Sequence, residues 1–153
     1  MAKGKSPRTP KPPPVCKAIL LCDQVIRDVI TGKASLIGIV EGFVMELPGH
    51  TLPVTAFVQL IEGVGTYVLS VEVHDLQANE VIARATAAEV TFQNRLDKKE
   101  IVIPVPALPV DHPGAYDFVV LADDKEVDRQ QFQVHIPPEE DRDEEQEAED
   151  TGG

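Results

Sequence analysis

The chain has 153 residues, of which 42% are hydrophobic and only 5% aromatic, and it contains no tryptophan. That length suggests a single domain, with a core that must be built from Val, Ile, Leu and Ala. A formal net charge of −12 argues against general binding to nucleic acid or anionic membrane, since both need a cationic surface to displace counterions.

The charge is unevenly spread. Residues 1–17 carry five Lys/Arg and no acid, and residues 137–153 carry nine acids and one Arg. Three segments follow from this. Residues 1–16 are expected to be a disordered, basic, proline-rich arm, locally polyproline-like at Pro12-Pro13-Pro14. Residues 17–137 are expected to form a β-sandwich domain, and residues 138–153 a disordered acidic tail.

In chain order, Ala18–Cys22 is a short apolar run, too short for a secretory leader or a membrane span. Thr31-Gly32-Lys33 is a turn signal. Residues 34–45 are apolar on both alternating faces, which predicts a strand covered on both sides, with Gly38 and Gly42 marking a bulge or bend. Val54–Ile61 is the next strand. Tyr67–His74 alternates cleanly, with Tyr67, Leu69, Val71 and Val73 on the core side.

Residues 80–92 are rich in alanine, yet Val81, Ile82, Thr86, Val90 and Phe92 favour a strand and no helical stripe emerges. Ile101–Val105 is extended, and Pro104 and Pro106 predict a sheet edge. The last hairpin alternates at Tyr116, Phe118 and Val120, turns at Asp123-Asp124, and alternates again at Phe132, Val134 and Ile136. Seven or eight strands with no amphipathic helix read as an all-β, immunoglobulin-like β-sandwich.

Cys16 and Cys22 lie six residues apart, ~20 Å along an extended strand, too far for a mutual disulfide. Two unpaired thiols, both expected to be buried, fit a reducing, cytoplasmic compartment.

The segments Leu21-Cys22-Asp23, Thr31-Gly32-Lys33 and Ser35-Leu36-Ile37-Gly38-Ile39, with the late Pro113-Gly114-Ala115-Tyr116-Asp117-Phe118, resemble a widespread bacterial family of uncharacterised small domains. The resemblance covers roughly residues 17–136. It implies an immunoglobulin-type sandwich, a bacterial cytosolic setting and no assigned activity, and it brings no catalytic residues with it.

No catalytic, cofactor-binding or metal-binding pattern stands out, and no cofactor is expected. His50, His74, His112 and His135 are scattered and lack the short spacings of metal ligands. Asp23 and Asp28 flank a turn, and Asp111, Asp117, Asp123, Asp124 and Asp128 cluster near the last hairpin without an EF-hand spacing. Ser35 and Ser70 stand outside any nucleophile elbow, and Cys22 has no His or acid partner nearby in sequence. Tyr116 is expected to be a core anchor whose hydroxyl bonds backbone.

The expected function is therefore that of a non-enzymatic binding or accessory module, acting on a protein partner and not on nucleic acid or membrane. The alternatives are a calcium- or ligand-sensing sandwich, and a modifier conjugated through Gly152-Gly153. An edge strand around Ile101–Val105 is a candidate for assembly.

Overall fold

The computed structural model describes residues 11–138, and these contain strands, turns and no helix. None of the described residues forms a helix long and apolar enough to cross a membrane. In chain order the strands are β1 (Val15–Arg27), β2 (Ala34–Ile39), β3 (Gly42–Val44), β4 (Gly49–His50), β5 (Val54–Ile61) and β6 (Gly65–Asp75). They continue as β7 (Glu80–Phe92), β8 (Lys98–Val105), β9 (Pro109–Val110), β10 (Gly114–Ala122) and β11 (Lys125–His135). Eight are long, and β3, β4 and β9 have two or three residues each.

One sheet has the order β2-β1-β5-β8, and a second has the order β3-β11-β10-β6-β7. The pair β4-β9 stands apart. The two large sheets share one apolar core. Leu21, Ala56 and Ile103 sit side by side across the first sheet, and Leu69, Val73, Phe118 and Phe132 come from the second. The alternation at Tyr67, Leu69, Val71 and Val73 is realised, and all four are buried.

The alanine-rich segment is a strand, β7, paired with β6 from end to end. Cross-strand pairing and burial outweigh the modest helix propensity of alanine. Asp123 and Asp124 take φ of 50° and 65°, the left-handed pair that a two-residue hairpin loop needs. β10 is buried on both faces, because Asp117 and Val119 are covered as well as Tyr116, Phe118 and Val120.

Three expectations are corrected. The apolar stretch 34–45 is not one strand covered on both sides. It splits into β2, at the edge of the first sheet, and β3, paired in parallel with β11 in the second. Gly38 turns the backbone at φ +70°, and at Gly42 a Cβ would stand 2.6 Å from the Gln133 carbonyl oxygen, so each glycine permits a step of the crossing. Ile37 and Ile39 are left about half exposed.

The arm does not end at residue 16. β1 begins at Val15, Pro14 is buried, and the buried Tyr67 hydroxyl donates to the Pro12 carbonyl at 2.7 Å. Lys11 lies over the Tyr67 ring and reaches Asp123 and the Thr66 carbonyl. Residues 1–10 and 139–153, with Gly152 and Gly153, lie outside the described residues. Of the two cysteines, both free, only Cys22 is fully buried, while Cys16 is half-buried.

β1 also curls. Glu100 lies in the row of Gln59 and Ala18, yet Arg27, nine residues after Ala18, brings its guanidinium to 3.3 Å from Glu100. A straight strand would carry Arg27 ~30 Å from that row. The β1–β2 hairpin therefore bends toward the face of the first sheet turned away from the core.

Candidate functional site

A polar cluster forms where the β6–β7 turn meets the β9–β10 loop. Asp75 ends β6 and is buried. Its Oδ1 accepts the N–H groups of Gln77 at 3.0 Å and Ala78 at 3.1 Å, an Asx turn that starts the connection to β7. Its Oδ2 faces His112 Nε2 at 2.5 Å. The other ring nitrogen, Nδ1, faces the Pro113 carbonyl at 2.9 Å. Tyr116 donates its hydroxyl to the His112 carbonyl at 2.7 Å, and its ring stacks between His112 and Phe132.

This geometry decides the protonation. Both imidazole nitrogens point at acceptor oxygens, so the ring satisfies both only as the cation. The Pro113 carbonyl first, and the Asp75 carboxylate second, raise the His112 pKa above its ordinary 6.5. Burial opposes ionisation of Asp75, but the Ala78 N–H, the His112 ring and the Gln77 N–H outweigh it and hold the carboxyl below the usual range. Burial, reinforced by the charges of Asp75 and Asp111, pushes the Tyr116 hydroxyl up to about 12.

Ligand atoms of Asp75, Asp111 and His112 all lie within 4.8 Å of one another, beside an open cleft of about 690 Å³ that His50 and Glu80 also line. The residue types suit a divalent cation, but Nε2 is already hydrogen-bonded and carries no free lone pair. As it stands the cluster is a charged clamp between two loops.

The other acids singled out in the sequence do not converge. Asp28 accepts the N–H groups of Ile30 and Thr31, Asp117 meets Arg129 at 2.7 Å, and Asp128 accepts the Arg129 N–H. Asp123 accepts the Val68 N–H, and Asp23 lies against Gly38. His74 bonds Glu72, and His135 is exposed at the end of β11. Ser35 pairs with Ile26 on the sheet edge, and Ser70 lies in the middle of β6. Burial raises the pKa of both thiols, that of Cys16 to about 11 with help from Asp128, which leaves little thiolate for chemistry.

The second feature is apolar. On the outer face of the first sheet, Leu20, Phe57 and Val102 form one row, with Cys22 and Ile39 in the next. Beyond them the β1–β2 hairpin ends in Val29 and Ile30, 98% and 91% exposed. The tip is rigidly held, because Asp28 caps it and Arg27 donates to the Gly32 carbonyl at 2.8 Å.

Asp23 stands across from Gly38 between two paired positions of β1 and β2, and Tyr116 anchors the last hairpin. Residues 17–135 match a family of unknown function, DUF6941. The chain belongs to that family.

This DUF6941 member matches no curated protein. Among solved structures, an alkylpurine DNA glycosylase AlkC from Pseudomonas fluorescens, bound to DNA containing an abasic site analog, shares 10% identity, with a TM-score of 0.46 over 60% of this chain and 27% of that one. A beta-glucosidase from Listeria innocua in complex with isofagomine shares 14% identity, with a TM-score of 0.37 over 78% of this chain and 17% of that one. The DUF6941 chain thus spans less than a third of either protein. Likenesses at this level say nothing about its activity.

The sequence did not point to Asp75 at all. Its only local signal is the polar turn after it, and its partner lies 37 residues away. The exposure of Val29 and Ile30 was equally hidden, because apolar residues beside a turn read as strand ends.

Proposed function

We propose that the domain is an immunoglobulin-like β-sandwich that acts as a non-enzymatic binding or accessory module through contact with another protein. Support for the sandwich comes from two sheets sharing one core and from Tyr116, which bonds backbone four residues upstream as corner tyrosines do in such folds. The observation that carries the function is the hairpin tip, where Val29 and Ile30 stand almost wholly in solvent on a pre-ordered loop. Apolar groups on a pre-ordered loop lose little entropy on binding, which favours a contact made through them. The two free thiols support a reducing, cytoplasmic setting.

Calcium sensing has weaker support, since the candidate carboxylates are spread among ion pairs and turns. The test is photo-crosslinking in the native host, with a photoreactive residue at position 30 and a control at Leu96, which is 90% exposed on the β7–β8 loop. A discrete protein adduct at position 30 that is absent from position 96 is expected. Equal labelling at both positions refutes the tip as a binding site.

A further inference from the structure

Side chains with metal-ligand chemistry line one open cleft from four separate places in the fold. His50 comes from β4, Asp75 from the end of β6, Glu80 from the start of β7, and Asp111 and His112 from the β9–β10 loop. The pair at its centre is not a surface accident. The Asp75 side chain is only 6% exposed, and the imidazole of His112 is partly buried against it.

Both groups are oriented by partners outside the cluster. Asp75 gives Oδ1 to the Gln77 and Ala78 N–H groups, which leaves Oδ2 to face the imidazole. His112 turns Nδ1 to the Pro113 carbonyl and stacks its ring on Tyr116, so the position of Nε2 is fixed. A histidine whose one nitrogen bonds a backbone carbonyl while the other meets carboxylates has the arrangement of a metal ligand, because the carbonyl sets the tautomer and the ring angle.

The spacing fits a small cation. Two ligand atoms bound to zinc at ~2.0–2.1 Å and a tetrahedral angle stand about 3.3 Å apart. His112 Nε2 lies 2.5 Å from Asp75 Oδ2 and 3.8 Å from Asp111 Oδ1, on either side of that value. A movement of under about 1 Å would bring both oxygens to ligand spacing. Asp111 is 84% exposed on its loop, so it is the group with freedom to make that adjustment.

We propose that this cluster binds a divalent transition-metal cation of the zinc type, with His112 Nε2, Asp75 Oδ2 and Asp111 Oδ1 as ligands and a further position open to the cleft. The cation takes the place of the Nε2 proton, which is released to water. Nδ1 keeps its proton and its bond to Pro113. Charge favours the exchange, since Asp75, Asp111 and Glu80 outnumber the single imidazolium, and a divalent ion in place of one proton offsets more of that excess. The imidazole selects the metal. Calcium takes six to eight oxygens, and these three residues supply too few. The site is separate from the hairpin tip and stands or falls independently of the binding module.

The test is calorimetric titration of zinc chloride into the metal-stripped full chain. One site of ~1 μM affinity or tighter is expected, with a rise in melting temperature on adding zinc. Asp111→Asn changes an exposed side chain and leaves the fold intact. Asp111→Asn and His112→Gln should each weaken zinc binding by more than about ten-fold, the least that loss of even a supporting group costs a metal site. His135→Gln, at a histidine that does not line the cleft, should bind zinc as the wild type does. Nitrogen-15 spectra of the imidazoles should show the metal on Nε2 of His112 with the proton retained on Nδ1.

A wild-type chain that does not bind zinc, or binding undiminished in both Asp111→Asn and His112→Gln, overturns the site. Binding lost in His135→Gln as fully as in His112→Gln would put the metal elsewhere and overturn it as well. Calcium bound as tightly as zinc and indifferent to His112→Gln would remove the imidazole as a ligand and with it the proposal.

Discussion

His112 Nε2 lies 2.5 Å from Asp75 Oδ2, and this contact ties the β9–β10 loop to the β6–β7 turn across 37 residues of chain. The folded pKa of His112 is raised, so its contribution is complete below the ordinary value near 6.5 and is lost as pH rises through the raised value. The folded pKa of Asp75 is lowered, so its contribution is present above the ordinary value near 3.8 and is lost as pH falls through the lowered value. The clamp is thus strongest in the mildly acidic range. The melting temperature of the wild type should fall between mildly acidic and mildly alkaline pH. His112→Gln should flatten that part of the curve. Parallel curves for the two proteins would show that this pair does not set the pH dependence.

Tyr116 is 1% exposed, and its hydroxyl is spent on the His112 carbonyl. Tyr116→Phe should cost about 1 kcal/mol, or somewhat more because the carbonyl is left short of a donor. Tyr116→Ala should cost roughly 3–5 kcal/mol, since it also empties the stack against Phe132. Urea denaturation measures both. An alanine variant as stable as wild type would contradict the burial of Tyr116 in the core.

Tyr67 makes the equivalent test for the proline segment. Its hydroxyl donates to Pro12 and accepts from the Val64 N–H at 2.9 Å. A chain beginning at Val15 should be less stable than one beginning at Lys11 by about 1–2 kcal/mol, the range for one or two hydrogen bonds with a buried group left unpaired. Tyr67→Phe in the longer chain should lose a similar amount and lose little more when shortened to Val15. Additive losses would mean that the segment is held by something other than Tyr67.

Gly38 combines a left-handed backbone with a close neighbour, for a Cβ at that position would collide with the Asp23 carboxyl. Gly38→Ala should cost about 1–2 kcal/mol from backbone conformation alone, plus the displacement of Asp23. In a double-mutant cycle with Asp23→Ala, the steric part should disappear and the backbone part remain. Full additivity would show that the two residues do not meet.

Sequence alone settled the class of this protein. Alternation at Tyr67–Val73 and Tyr116–Val120 is a local, period-two signal that survives in any all-β arrangement, and Pro104 placed β8 at a sheet edge because proline cannot donate to a central ladder. The family motif was legible for the same reason, as short runs of neighbouring residues. Tertiary structure decided everything that depends on distant partners. Residues 34–45 are apolar on both faces whether they form one covered strand or two strands in different sheets, and only the pairing of β2 with β1 and of β3 with β11 chose between these. Asp75 and His112 carry no mark of each other, because electrostatic contact depends on separation in space and not along the chain. The solvent exposure of Val29 and Ile30 is a property of what the fold fails to cover, and no window of sequence contains that information.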